Sequence, residues 1–211
     1  MTRTVKIVGI SVLLIVGQFV YGQKNEEKLV RQAFENYKTS ILNNKGEEAV
    51  KFVDSRTIKY YNDILELVKT ADSAKIETLS ILDKFMIFTI RHRVHKDDIL
   101  DFDGKSLLVY GIKNGMTGKE SATISIGKVT INEYFAKGQL IASKQKSPFY
   151  FHFYKEDEQW KVDLTSIFPL STMAFEQLID KDEDVNELIF YILEIGTGKK
   201  PDAAIWKPIM Q

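Results

Sequence analysis

Cysteine is absent from the 211-residue chain. No disulfide can staple the fold, and no zinc finger of Cys and His ligands can form. A lipid anchor on a cysteine behind an export leader is excluded for the same reason. An excess of one charge is also missing, since 29 Lys and Arg stand against 29 Asp and Glu. No long-range field draws the chain to nucleic acid, and no helix-turn-helix or RNA-binding signature appears. No internal repeat or low-complexity linker interrupts the sequence. What remains is 44% hydrophobic and 27% charged, the composition of one globular domain held by its core alone.

The N-terminus carries the clearest signal. Arg3 and Lys6 precede the apolar stretch from Ile7 to Val20, and Val20 and Gly22 are small residues at the −3 and −1 positions of a cleavage site. This is the pattern of a secretory leader over residues 1–22, cleaved after Gly22. As a helix the apolar stretch would reach roughly 21 Å, short of the roughly 30 Å hydrocarbon core. A retained membrane anchor is therefore not expected. The expected address is outside the cytoplasm, either periplasmic or extracellular, for a single domain over 23–211.

From Glu26 to Asn43 the apolar residues Leu29, Val30, Ala33, Phe34, Tyr37 and Ile41 fall on one helical face. Gly46 is expected to take a left-handed cap. A short helix over "EEAVKFV" follows, then a helix capped by Asp54 or Ser55. Asp72 and Ser73 offer another start. The run "IETLSILDKFMIFTIRHRV" keeps a helical period through Ile76, Leu79, Leu82, Phe85, Met86 and Ile90. It is apolar on most sides and reads as one central helix. Two short helices are expected around Asp103-Gly104, ended by Gly115.

Near Ser121 the period changes from helical to two. "ATISIGKVTINEYF", "GQLIASKQK", "PFYFHFYK" and "QWKVDLTSI" are rich in β-branched and aromatic residues. The apolar parity flips across Gly127-Lys128, which predicts a bulge. After Pro169 comes a helical region centred on "ELIFYILEI", then a loop anchored by Trp206. Helices first and a contiguous antiparallel sheet next give an α+β fold, with a C-terminal helix over the extension 169–211.

The hairpin from Phe149 to Ile167 fixes its own register. A two- or four-residue turn at Asp157-Glu158 puts Phe151, Phe153, Trp160, Val162 and Leu164 on one face. Tyr150, His152, Tyr154, Lys161 and Asp163 then take the other. A three-residue turn would bury Lys161 and Asp163 beside phenylalanines, at a cost of several kcal/mol.

Amphipathic helices followed by a bent sheet, with a late hairpin ending in Trp160-Lys161-Val162-Asp163, resemble the nuclear transport factor 2-like cone fold over residues 26–168. The long helical part from Asp72 to Gly115 and the helix after the sheet depart from that pattern. The resemblance implies a curved sheet wrapped around helices with a pocket in the cone. Its members include isomerases, dehydratases, hydrolases and many non-catalytic binding or assembly domains, so fold alone does not give function.

Three histidines are present: His92, His95 and His152. His152 faces Asp163 in the preferred register, with Tyr150 and Tyr154 beside it, a set able to act as base, orienter and proton donor. The bland alternative is a cross-strand surface pair. Arg91, His92 and His95 lie in the densest basic run, "RHRVHK", which fits either an acidic ligand or a helix end complementing its dipole. "DKDEDVNE" fails the EF-hand pattern: counting from Asp180, Val185 stands where Gly is needed and Tyr191 where Glu is needed. "GTGKK" lacks the rest of a P-loop. No metal or cofactor set is expected. The readings are an exported non-catalytic domain binding a small molecule or peptide, a pocket enzyme using His152 and Asp163, and an assembly module dimerising through the outer sheet face. The first is preferred; a buried His152 would favour the second and an exposed Tyr150/His152/Tyr154 face the third.

Overall fold

The computed structural model describes residues 24–116, 122–179 and 184–210. The expected leader and cleavage site lie outside them, as do residues 180–183 of the acidic run. The fold is α+β, with helices first, an antiparallel sheet in the middle and helices after it. No helix among the described residues is long and apolar enough to cross a membrane.

Helix α1 spans 24–42. Its Val30, Ala33, Phe34, Tyr37 and Ile41 are buried, as their spacing requires. Short α2 follows over Gly46–Ala49. Gly46 corrects an expectation: the left-handed residue before α2 is Asn44, at φ 56. Gly46 opens α2 because a Cβ there would sit 2.5 Å from the Val109 carbonyl oxygen. Asp54 caps α3 (Ser55–Thr70), its carboxylate accepting from the Thr57 N–H at 2.9 Å.

The run read as one central helix is two. α4 covers Ser73–Glu77 and α5 covers Ile81–Arg93. α4 ends at its C-cap Thr78, and Ser80 caps α5, its Oγ accepting from the Asp83 N–H. A hydroxyl cap placed at a helical spacing left the apolar period unbroken, which hid the break. α5 is nevertheless central: α3 packs on it, as do the later helices α8 (Phe168–Glu176) and α9 (Val185–Thr197). α6 (Lys96–Asp101) and α7 (Gly104–Lys113) flank Asp103, which caps α7 in a reciprocal box with Ser106.

The sheet is a four-stranded meander in the order β1 (Ile124–Asn132), β2 (Phe135–Ala142), β3 (Gln145–Glu156), β4 (Gln159–Asp163). Its register shifts between Ile126 and Val129, where the parity flip predicts a bulge. α8 (Phe168–Glu176) and α9 (Val185–Thr197) complete the chain, with α9 ended by Gly198 at φ 70. Trp206 anchors the C-terminal segment, its ring 4.7 Å from Phe88 and 5.9 Å from Phe190.

Buried side chains form two clusters. One joins α1 to the inner sheet face. The other joins α3, α5, α6, α7 and α9.

Candidate functional site

The β3–β4 hairpin turns on two residues, Asp157 and Glu158, both left-handed at φ 50 and 58. Such a turn matches the twist of the strands and normally selects Asn-Gly; here two acidic side chains hold it. The register follows: Phe153 faces Val162, Tyr154 faces Lys161 and His152 faces Asp163. Phe151, Phe153, Trp160, Val162 and Leu164 point inward and are buried.

Among the described residues the inner side of the hairpin is covered by α1. The Phe34 ring of α1 packs tilted against Phe151 at 5.0 Å and edge-on to Phe153 at 6.5 Å. The Trp160 indole N–H donates to Glu26 at 2.6 Å, and Lys155 pairs with the same carboxylate at 3.3 Å. Helix α1 therefore occupies the concave side.

The candidate residues Tyr150, His152 and Tyr154 lie on the other face, half-buried. On β2 the same face carries Phe135 and Lys137, opposite Tyr154 and His152. Phe135 lies 5.2 Å from both the His152 and the Tyr154 rings. The Arg56 guanidinium stacks 3.5 Å above Tyr154, and the Lys137 ammonium lies 5.3 Å from the Tyr150 ring. The result is a row of four rings with a cation at two of them.

His152 and Asp163 are register partners, yet no hydrogen bond joins the imidazole to the carboxylate among the described residues. Asp163 is 5% exposed and accepts from the Thr165 N–H at 2.9 Å and the Thr165 hydroxyl at 2.6 Å, capping the 3-10 turn Leu164–Ile167. The His152 backbone N–H donates to the Ser166 hydroxyl. Asp54 lies close enough to feel the Asp163 charge. Burial raises the pKa of Asp54, hydrogen bonds from Thr57 oppose the rise, and Asp163 adds to it.

The basic run does not converge. Arg91 donates to the carbonyls of Leu67, Val68 and Ala71, and to that of Ile205 at 2.9 Å. Burial lowers its pKa to about 10, so it stays charged at neutral pH. It thus caps the C-terminus of the neighbouring α3 and ties down the C-terminal segment. His92 Nε2 lies 2.9 Å from the Thr197 hydroxyl, and burial holds its pKa below the ordinary imidazole value. His95 is exposed, 3.7 Å from Asp97.

Among the described residues no group of three His, Asp or Glu is placed to hold a metal ion. An open cleft of about 640 Å³ runs along α1 past Asn36, Thr39, Asn43 and Phe52, and none of the candidate residues lines it.

Phe135, Lys137 and Arg56 complete the ring row and escape a reading of the hairpin alone. Phe135 and Lys137 had a signal, since Ala136, Gly138 and Leu140 alternate with them as the buried set. Arg56 had none, because it reaches the sheet from the first turn of α3. The chain finds no match among protein-family models, curated proteins or solved structures.

Proposed function

We propose that the chain is an exported, non-catalytic binding domain that recognises an acidic segment of another protein on its outer sheet face. The observation that carries this reading is the half-exposed row Tyr150, His152, Tyr154 and Phe135, with Arg56 and Lys137 against its rings. Rings with one wet face and cations beside them suit carboxylate and aromatic side chains. Lys137 makes no ion pair among the described residues, so its charge is free to meet an anion. Export rests on Arg3, Lys6 and the apolar stretch before Gly22, and the cone-fold resemblance is compatible with a binding role.

Strand addition is disfavoured at the sheet edges. On β1, Arg31 donates to the Ile126 and Gly127 carbonyls and Lys38 donates to the Ile124 carbonyl. On β4, the Val162 carbonyl already accepts from the Asp54 N–H. Recognition therefore falls to the face. Arg56 already pairs with Asp54 at 3.4 Å and Glu156 at 3.9 Å, so Lys137 is the cation through which an acidic partner is favoured over a second copy.

Titration of the ¹⁵N-labelled protein over 23–211 with a glutamate–tyrosine copolymer tests this. Saturable shifts are expected at Lys137, Tyr150 and His152, weakening with salt and lost in Lys137→Glu. A lysine–tyrosine copolymer should not bind. Equal binding of both copolymers, or none, would overturn the reading. Dimerisation in sedimentation that Tyr150→Ser abolishes, without copolymer binding, would replace the acidic partner with a second copy.

A further inference from the structure

The helix that covers the inner sheet face has a wet side of its own. Gln32, Asn36, Thr39 and Asn43 of α1 follow one another at steps of four, three and four. That spacing puts one of them on each turn, about 5.4 Å apart. Gln32, Thr39 and Asn43 are exposed and Asn36 is half-buried. No charge interrupts the row. Glu27, Arg31 and Lys38 lie on a different face of α1, where Arg31 and Lys38 hold β1 carbonyls.

The row is one wall of a groove made of two stretches that share Asn36 and Phe52. One stretch, of about 640 Å³, runs past Thr39 and Asn43 to Lys45 and Glu48. The other, of about 350 Å³, runs past Leu29 and Gln32 to Gln159 at the tip of the β3–β4 hairpin. Phe52 is half-buried and offers a ring where the stretches join. Asn and Thr are poorer helix formers than the Lys and Glu that commonly cover a solvated face. Among the described residues neither the Gln32 nor the Asn36 side chain makes a hydrogen bond, so neither stabilises the fold. Asn43 donates to the Thr39 carbonyl at 2.7 Å and keeps its oxygen for another partner.

We infer that this groove binds an extended, neutral glycan, with the amides of Gln32, Asn36 and Asn43 on its hydroxyls and Phe52 against the C–H face of a ring. An amide carries donors and an acceptor side by side, which matches two adjacent sugar hydroxyls. One amide or hydroxyl per turn keeps step with one sugar unit. From Gln32 to Asn43 the row spans roughly 17 Å, the length of a trisaccharide. An extended peptide repeats each face every two residues, about 6.8 Å, and drifts out of step with the turns. An ionic ligand is disfavoured, because the charges at one end, Lys45 and Glu48, are opposite in sign. The assignment is independent of the outer sheet face.

The test titrates cellotriose, xylotriose and N-acetylchitotriose, three extended β-1,4-linked sugars, into the ¹⁵N-labelled protein over 23–211. Side-chain amide signals of Gln32, Asn36 and Asn43 should shift in a saturable way with at least one of them. Added salt should leave that binding unchanged. Asn36→Ala should weaken it about five-fold, the net worth of one neutral hydrogen bond, and Gln32→Ala/Asn36→Ala should weaken it further. Alanine is the better helix former, so both variants should melt no lower than wild type. Absence of saturable shifts with all three sugars would overturn the inference. So would shifts confined to residues outside the groove, binding unchanged in the double variant, or equal binding of a neutral alanine–serine hexapeptide, which would make the groove a peptide site.

Discussion

The two cores of this protein solve the same problem with different completeness. On the sheet side, rings from α1, β3 and β4 interlock, and the polar atoms at the margin are paired: Trp160 with Glu26, and the β1 carbonyls with Arg31 and Lys38. On the helical side, Arg91 satisfies four carbonyls, yet Thr89 keeps an unpaired hydroxyl, and an apolar cavity of about 60 Å³ stays open among Tyr61, Met86, Ile90, Leu107 and Met116. The geometry of the elements explains the contrast. A strand presents alternate residues to one plane, so a single helix laid on it fills the face. Helices mesh pairwise, ridge into groove. Where α3, α5 and α7 meet, no single pair controls the space between them.

The sharpest way to break this comparison is to remove one fully buried ring from each side. Phe153 and Phe88 are both 0% exposed. Phe153→Ala and Phe88→Ala should each cost about 3–5 kcal/mol in urea unfolding. Both variants should melt in one transition, because Tyr61 packs against both clusters. Loss of only one half of the helical signal in either variant would mean the halves fold separately.

Arg91→Lys comes next in size. It keeps the charge but loses the planar fork that reaches several carbonyls at once. A loss of about 2–3 kcal/mol is expected, set by the carbonyls left unpaired. Unchanged stability would mean that the Arg91 contacts contribute nothing net.

Asp54 gives a pH signature. Its folded pKa is raised above the ordinary carboxylate value, chiefly by burial. The folded protein therefore holds a proton that the unfolded chain has lost. Stability from this group is present below the unfolded pKa and falls as pH rises through the folded one. Asp54→Asn keeps a cap-forming side chain and removes the titration. Urea midpoints should show the variant gaining on wild type as pH rises through the carboxylate range. A wild type that gains instead would refute the assignment. The smallest effect is expected at His152, where His152→Ala should change stability by no more than about 0.5 kcal/mol. A larger loss would mean that the Phe135 contact is structural.

The sheet was largely legible in the sequence because period two is unforgiving. A register slip would have turned Lys161 toward the phenylalanines, so the hairpin register was legible, although Asp163 is buried even so, its carboxylate satisfied by Thr165; the Gly127-Lys128 bulge followed from a parity flip. The helical half was less legible. Ser80 breaks a continuous apolar period without a glycine or proline to announce it, and Gly46 marks a close helix contact where a cap was expected. Of the site, Tyr150, His152 and Tyr154 could be placed on one face in advance. Their solvent side could not be, because that depends on which sheet face α1 covers. The role of Arg91 was hidden for a similar reason: its acceptors lie on α3 and near Ile205, far along the chain.

Xenon tests the contrast between the halves most directly. It has no charge or hydrogen-bonding group and enters apolar cavities that already exist. Under xenon pressure, methyl signals of Met86, Met116, Ile90 and Leu107 should shift in a saturable way, while those of Ile126, Leu140 and Val162 in the sheet core stay fixed. Shifts of equal size in both sets, or none in either, would contradict the account of one filled core beside one that leaves room.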